Sequence, residues 1–331
     1  MFSTFIRLGA ALSCAAMLCS CGGNSVAETQ QSTPEGLYTG MYATVLTNPN
    51  VIDPTTNKPE VVPNPYCALN NTQSPPVYTE NVITFVVATG SVYTFYPSAT
   101  NAAVLNAADY GSMTFGGNVM SASLMEVIAP ASVPLTATNN QTNPYAAIAG
   151  QFSPLCDYFS GNVSAANMTG AYITGTNLAL TLTYSGPDLG GLDNITTTAK
   201  ATLLYDADYQ GVQSLSTLAG TFNGYVSTSQ FSEPATFTIG PASVPANAGN
   251  SLGVSVLTGT GASGCSYTGS VSPLYKGNGY TVTMSSGSAP CKLPQTQFSG
   301  LMYLNTSSNI LYSFAPDTAH TDGVLFSGTR G

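Results

Sequence analysis

Asn177-Leu178-Ala179-Leu180-Thr181-Leu182-Thr183-Tyr184-Ser185 carries the cleanest period-two pattern in the chain. Leu178, Leu180, Leu182 and Tyr184 alternate with Ala179, Thr181, Thr183 and Ser185. Successive side chains of a strand point to opposite faces, so one face here is core and the other is wet or lightly polar. Residues 168–173 read as its hairpin partner. Cys156 opens a further strand that runs through residues 158–164, and residues 196–206 form another. Upstream, Val82-Ile83-Thr84-Phe85-Val86-Val87 and Ser91-Val92-Tyr93-Thr94-Phe95-Tyr96 flank Thr89-Gly90 as a hairpin. A second hairpin turns at Gly116-Gly117-Asn118, between residues 112–115 and 119–125.

Val212, Leu215 and Leu218, at spacing three, predict a brief helix, after which the strands resume. Residues 235–239, 253–257, 265–272, 280–285, 298–304, 310–315 and 324–327 are short, and Asn305-Thr306-Ser307-Ser308-Asn309 is a hairpin turn. Such a run of short strands predicts an all-β fold: one or two small antiparallel β-barrels or sandwiches, the shapes that dispose of edge strands. Two stretches dense in Pro, Asn and Thr, 47–81 and 129–150, read as long loops. The expected organisation is a signal segment over 1–20, a flexible tether over 21–35, a first β domain over 36–211 and a second over 212–331.

Two internal similarities suggest related halves. Gly36-Leu37-Tyr38-Thr39-Gly40 and Gly220-Thr221-Phe222-Asn223-Gly224 share a G-x-aromatic-x-G pattern. The stretch from Cys156 to Ser164 also resembles that from Cys265 to Ser272.

The N-terminus carries Arg7, an apolar run over 8–18 and then Leu18-Cys19-Ser20-Cys21, the tripartite pattern of a secretory signal. The last four residues resemble the lipobox of bacterial lipoproteins. That resemblance implies lipidation of Cys21, which becomes the first residue of the mature chain, and with Gly22 rather than Asp after it, sorting to the outer membrane. Stable anchoring takes more than one acyl chain, which triacylated lipoproteins supply. With Cys14, Cys19 and Cys21 assigned to export, Cys67, Cys156, Cys265 and Cys291 remain. An even number in an exported chain reads as disulfides with three possible connectivities, of which sequence order favours Cys67 with Cys156 and Cys265 with Cys291.

Charged residues make up only 6% of the chain and the formal charge is −9 with no basic run, so there is no footprint for a nucleic-acid backbone. Without a Cys-x-x-Cys pair, and with His320 the single histidine, no metal or other cofactor is expected. Gly249-Asn250-Ser251-Leu252-Gly253 fits G-x-S-x-G, and Asp317 with His320 would complete a hydrolase triad. The motif needs a strand, a sharp turn and a helix, and here lies in a loop before a strand. Asp206-Ala207-Asp208-Tyr209-Gln210-Gly211 starts like a calcium loop, but Thr217 stands where the bidentate Glu belongs, so a strand-ending turn is the better account. Glu80, Glu126 and Glu233 have no visible partner, and no acid/base pair is expected.

Nineteen Tyr and thirteen Phe alongside abundant Asn and Thr suit polar, adaptable recognition surfaces. The lipobox, polar tether and small barrels together resemble proteobacterial outer-membrane lipoproteins. That likeness implies a non-enzymatic binding or envelope-structural role, with a protein or a small apolar ligand as partner and the lipid as the link to the membrane. Alternative readings are an inhibitor of a secreted hydrolase and an envelope serine hydrolase using Ser251 and His320.

Overall fold

The computed structural model describes residues 33–61, 69–70, 77–98, 101–130, 163–187, 194–211, 214–243 and 253–331. Two closed antiparallel barrels of eight strands account for nearly all of them. The first is built from β1 (Gly36–Asp53), β4 (Val77–Val86), β5 (Ser91–Pro97), β6 (Leu105–Gly116), β7 (Val119–Ile128), β8 (Val163–Ile173), β9 (Asn177–Pro187) and β10 (Asn194–Tyr205). Each pairs with the next, and β1 closes the ring by pairing with both β4 and β10. The second runs β11 (Gly220–Ser227), β12 (Ser232–Ile239), β13 (Ser255–Gly261), β14 (Ser266–Pro273), β15 (Gly279–Ser286), β16 (Gln297–Asn305), β17 (Ile310–Pro316) and β18 (Gly323–Arg330), with β11 paired to β18. Closure leaves neither ring an unpaired edge.

The G-x-aromatic-x-G motif stands at the same place in both rings, the first strand. Tyr38 and Phe222 point into their respective interiors and are fully buried. The second glycine of each motif faces the last strand: a Cβ at Gly40 would press on Leu203 of β10, and one at Gly224 would collide with the Ser327 carbonyl of β18. The pattern therefore marks the seam where first and last strands meet closely, which a side chain would hold apart. The other internal similarity does not map this way. Val163 and Ser164 open the sixth strand of the first ring, whereas Ser266 to Ser272 form the fourth of the second; the rest of the first copy lies outside the described residues.

Residues 47–81 correct the loop reading. β1 continues to Asp53, turns through residues capped by the Asp53 carboxylate on Thr55 and Thr56, and pairs with β2 (Lys58–Val61). Short β3 (Leu69–Asn70) then flanks β4. Proline is tolerated at such flanking strands because they need fewer ladder hydrogen bonds. The brief helix is present as α1 (Leu215–Leu218), capped by Ser214, with Leu215 and Leu218 buried against the second interior. Val212 lies outside the described residues.

Three apolar cores result. One fills each barrel and the third lies between them. Along β4 and β5, Val82, Val86, Val92 and Tyr96 face the first interior, whereas Ile83, Phe85, Tyr93 and Phe95 face the second barrel. Ile310, Tyr312 and Phe314 of β17 return the contact with their outward faces. Strands at the junction are buried on both faces, β17 from end to end, while β12 and β13 alternate. Hydrogen bonds cross the junction: the Leu105 amide to Ser327 Oγ (3.0 Å), Ser327 Oγ to the Ala103 carbonyl (2.9 Å) and Tyr312 Oη to the Ala102 carbonyl (2.8 Å). Cys265 and Cys291 are disulfide-bonded and pack into the second core. Cys67 and Cys156 lie outside the described residues, as does Cys21.

Candidate binding site

Beyond the end of β10 the chain enters a short 3-10 turn, Ala207–Gln210, which Asp206 caps by accepting from the Asp208 amide (2.9 Å). This is the predicted strand-ending turn; the Asp206 carboxylate serves the backbone, and among the described residues no group of three or more His, Cys, Asp or Glu could hold a metal ion. The turn drives Tyr209 into the junction between the barrels, where its ring meets Phe85 edge-on at 5.4 Å. Its Oη donates to Glu35 Oε1 (2.6 Å), and Glu35 Oε2 pairs with Lys276 Nζ (2.8 Å) at the tip of the β14–β15 hairpin. Burial pushes the Tyr209 hydroxyl well above its ordinary pKa, and its bond to Glu35 adds to the rise, so it stays a donor.

A cleft of about 810 Å³ opens over this pairing. Tyr205 and Leu274, partly buried, continue the junction core to its wall, and Tyr205 packs edge-on against Tyr38 at 5.6 Å and Tyr209 at 6.3 Å. Tyr275 stands at the rim of the hairpin tip and is 97% exposed, far more than any other large apolar residue described. Polar groups from both barrels complete the lining: Thr174, Gln210, Ser214 and Ser216. The two formal charges of the lining, Glu35 and Lys276, neutralise each other across it. An open cleft in which three tyrosines and a few aliphatic residues alternate with polar groups has the character of a ligand site.

A second polar assembly lies inside the first barrel. Asp109 of β6 and Glu126 of β7 stand directly opposite in the ladder and face inward, 1% and 0% exposed. Tyr96 Oη donates to Asp109 Oδ2 (2.6 Å) and Ser164 Oγ to Glu126 Oε2 (2.6 Å). Asp109 Oδ1 and the Tyr42 hydroxyl have no hydrogen-bond partner among the described residues. Burial first, and the Glu126 carboxylate second, hold the Asp109 carboxyl well above the usual carboxylate range, so it keeps its proton. This overturns the expectation of isolated carboxylates. The signal was present in the phase of β7: Met120, Ala122, Leu124, Glu126 and Ile128 share one face, which makes Glu126 a charge at a core position.

The triad residues are not brought together by any observed contact. Asp317 spends both carboxylate oxygens on Thr321, at its amide and hydroxyl (each 2.8 Å), and His320 stacks edge-on against Tyr110 of the first barrel at 5.0 Å. Ser251 lies outside the described residues. Glu233 binds Ser263 through amide and hydroxyl, a surface turn clasp. The aromatic cleft itself was not foreseen, since Tyr205, Tyr209 and Tyr275 come from different barrels and share no motif.

No family model matches the chain, and no curated protein matches it in sequence. Among solved structures it is similar to the vaccine antigen transferrin binding protein B (a Trp-to-Ala mutant) from Haemophilus parasuis, at 9% identity over 91% of this chain and 77% of that one, with a TM-score of 0.20. A likeness at that level carries no argument about function.

Proposed function

We propose that this chain is a non-enzymatic binding protein of the outer membrane, anchored by lipid on Cys21, which engages its ligand or partner at the cleft between the barrels. The observation that carries the reading is Tyr275. A tyrosine left almost wholly in water at a hairpin tip, above a wall made by Tyr205 and Leu274, forgoes about 1.5–3 kcal/mol of burial that an occupant would recover. Tyrosine also brings rigid contact area at small entropic cost, which is why it suits recognition surfaces. Disulfide-bonded cysteines accord with an exported location.

Two measurements test this. Cells producing Cys21→Ser should release the protein from the membrane fraction; retention there would end the anchoring claim. In hydroxyl-radical footprinting of the full chain with and without envelope extract, Tyr205 and Tyr275 should lose reactivity while Val256, exposed on the wall of the second barrel, keeps its own. Unchanged reactivity of both tyrosines would remove the cleft from the reading.

A further inference from the structure

Four of the seven large apolar residues exposed among the described residues, Met41, Val119, Ile173 and Leu204, share one stretch of the outer wall of the first barrel. The ladder registers bring them there. Ile173 of β8 lies opposite Asn177 of β9, which lies opposite Leu204 of β10, which lies opposite Thr39 of β1. One row along, Val119 of β7 faces Ala171 of β8, which faces Ala179 of β9, and Met41 follows Thr39 on the same face of β1. Neither row holds a charged residue, whereas the next is polar: Ser121, Thr169, Thr181 and Lys200 are successive partners across β7 to β10. Apolar residues scattered singly on a surface need no account, but a contiguous patch marks a surface that something covers.

The patch lies where β1 begins, at Gly36, and fifteen residues, Cys21 to Glu35, precede that point. Fully extended they span no more than about 50 Å, so lipid on Cys21 would hold the patch close to the bilayer. A contact too weak between free molecules then becomes effectively intramolecular. Two rows on five strands cover roughly 250 Å². That is well short of the roughly 800 Å² per partner of a stable protein complex, which argues against a second copy as the occupant. We propose that this patch docks the first barrel on the membrane surface, with Met41, Val119, Ile173 and Leu204 entering the boundary between headgroups and acyl chains and Lys200 reaching the headgroups. A chain of formal charge −9 gains nothing from an anionic surface, so zwitterionic phospholipid is the surface that fits. The proposal rests on the lipid-anchor reading of Cys21.

Hydroxyl-radical footprinting of membranes from cells producing the full chain compares the patch with Val256, which at 59% is as exposed as Leu204 at 62% but lies on the second barrel. Corrected for intrinsic reactivity, Met41, Ile173 and Leu204 should react several-fold less than Val256; equal reactivity would overturn the proposal. A carbene precursor dissolved in the bilayer should label Ile173 and Leu204 and spare Val256. Protection from radicals without carbene labelling would give the patch to a protein, a second copy included, and overturn lipid docking. The double variant Ile173→Glu with Leu204→Glu should lower the docked-to-free ratio at least about tenfold and return Met41 to the reactivity of Val256. Val256→Glu should leave Met41 protected, and if it exposes Met41 equally the patch is not the contact. The anchor is read separately: a Cys21→Ser chain retained in the membrane fraction removes the anchor and this proposal with it. Release of that variant, with a wild-type patch as reactive as Val256, removes the docking alone.

Discussion

Inside the first barrel, Thr84, Thr94, Asp109 and Glu126 face inward among Tyr42, Tyr96 and Tyr184; the second fills the corresponding space with Phe222, Phe237, Phe298 and Phe326, and ties its wall with Cys265–Cys291. Phe237 touches Phe326 at 4.3 Å and Tyr267 at 5.4 Å, so the second interior is held by aromatic contact. The first is held partly by hydrogen bonds, Tyr96 to Asp109, Ser164 to Glu126 and Thr84 with Thr94 at 3.2 Å. The contrast teaches that strand number and closure are fixed by the ladder and the seam glycines, and that the filling is free to vary. A polar filling is tolerated only where its groups are paired or neutral, since an unpaired buried polar group costs about 1–3 kcal/mol.

Both barrels depend on the third core, and breaking it is expected to have the largest effect. Phe314→Ala removes a fully buried ring from the junction and should cost about 3–5 kcal/mol, separating one thermal transition into two. A single undivided transition in the variant, followed by calorimetry, would show that the barrels do not rely on this packing. Next, Cys291→Ser opens a loop of 26 residues and should cost about 3.5 kcal/mol, read as a fall in the common denaturant midpoint.

The polar interior supplies a test specific to the first barrel. Asp109 has a folded pKa above its unfolded one, so its contribution to stability is complete at acid pH, below the unfolded value. It is lost as pH rises through the folded value. The denaturant midpoint should therefore fall with rising pH, and Asp109→Asn should flatten that slope. A slope that survives the substitution would assign it to another group. The smallest effect belongs to Lys276→Ala. Its side chain is 64% exposed, so loss of the pair with Glu35 should cost no more than about 0.5 kcal/mol, read as a denaturant-midpoint shift.

Much of the fold was legible because the strands announce themselves. Leu178, Leu180, Leu182 and Tyr184 face one way in β9, as their alternation required, and the hairpins at Thr89-Gly90 and Gly117-Asn118 turn where glycine allowed it. The continuous apolar run of β4 and β5 carried a further message, that both faces are covered, but did not say by what. Residues 47–61 misled, because proline and asparagine suggested a loop where β1 runs on past the barrel and folds back with β2. Asp109 and Glu126 were each visible in sequence, yet their pairing needed the register of β6 against β7.

Periodicity, glycine spacing and composition act locally or in sum, so the strand pattern, the repeated G-x-aromatic-x-G motif and the scarcity of charge were already present in the sequence. Tertiary structure alone decided which strands share a face, that two rings close rather than one large sheet, and that Tyr205, Tyr209 and Tyr275 meet over Glu35 and Lys276. Those outcomes depend on contacts between residues up to 241 positions apart, which no local pattern encodes.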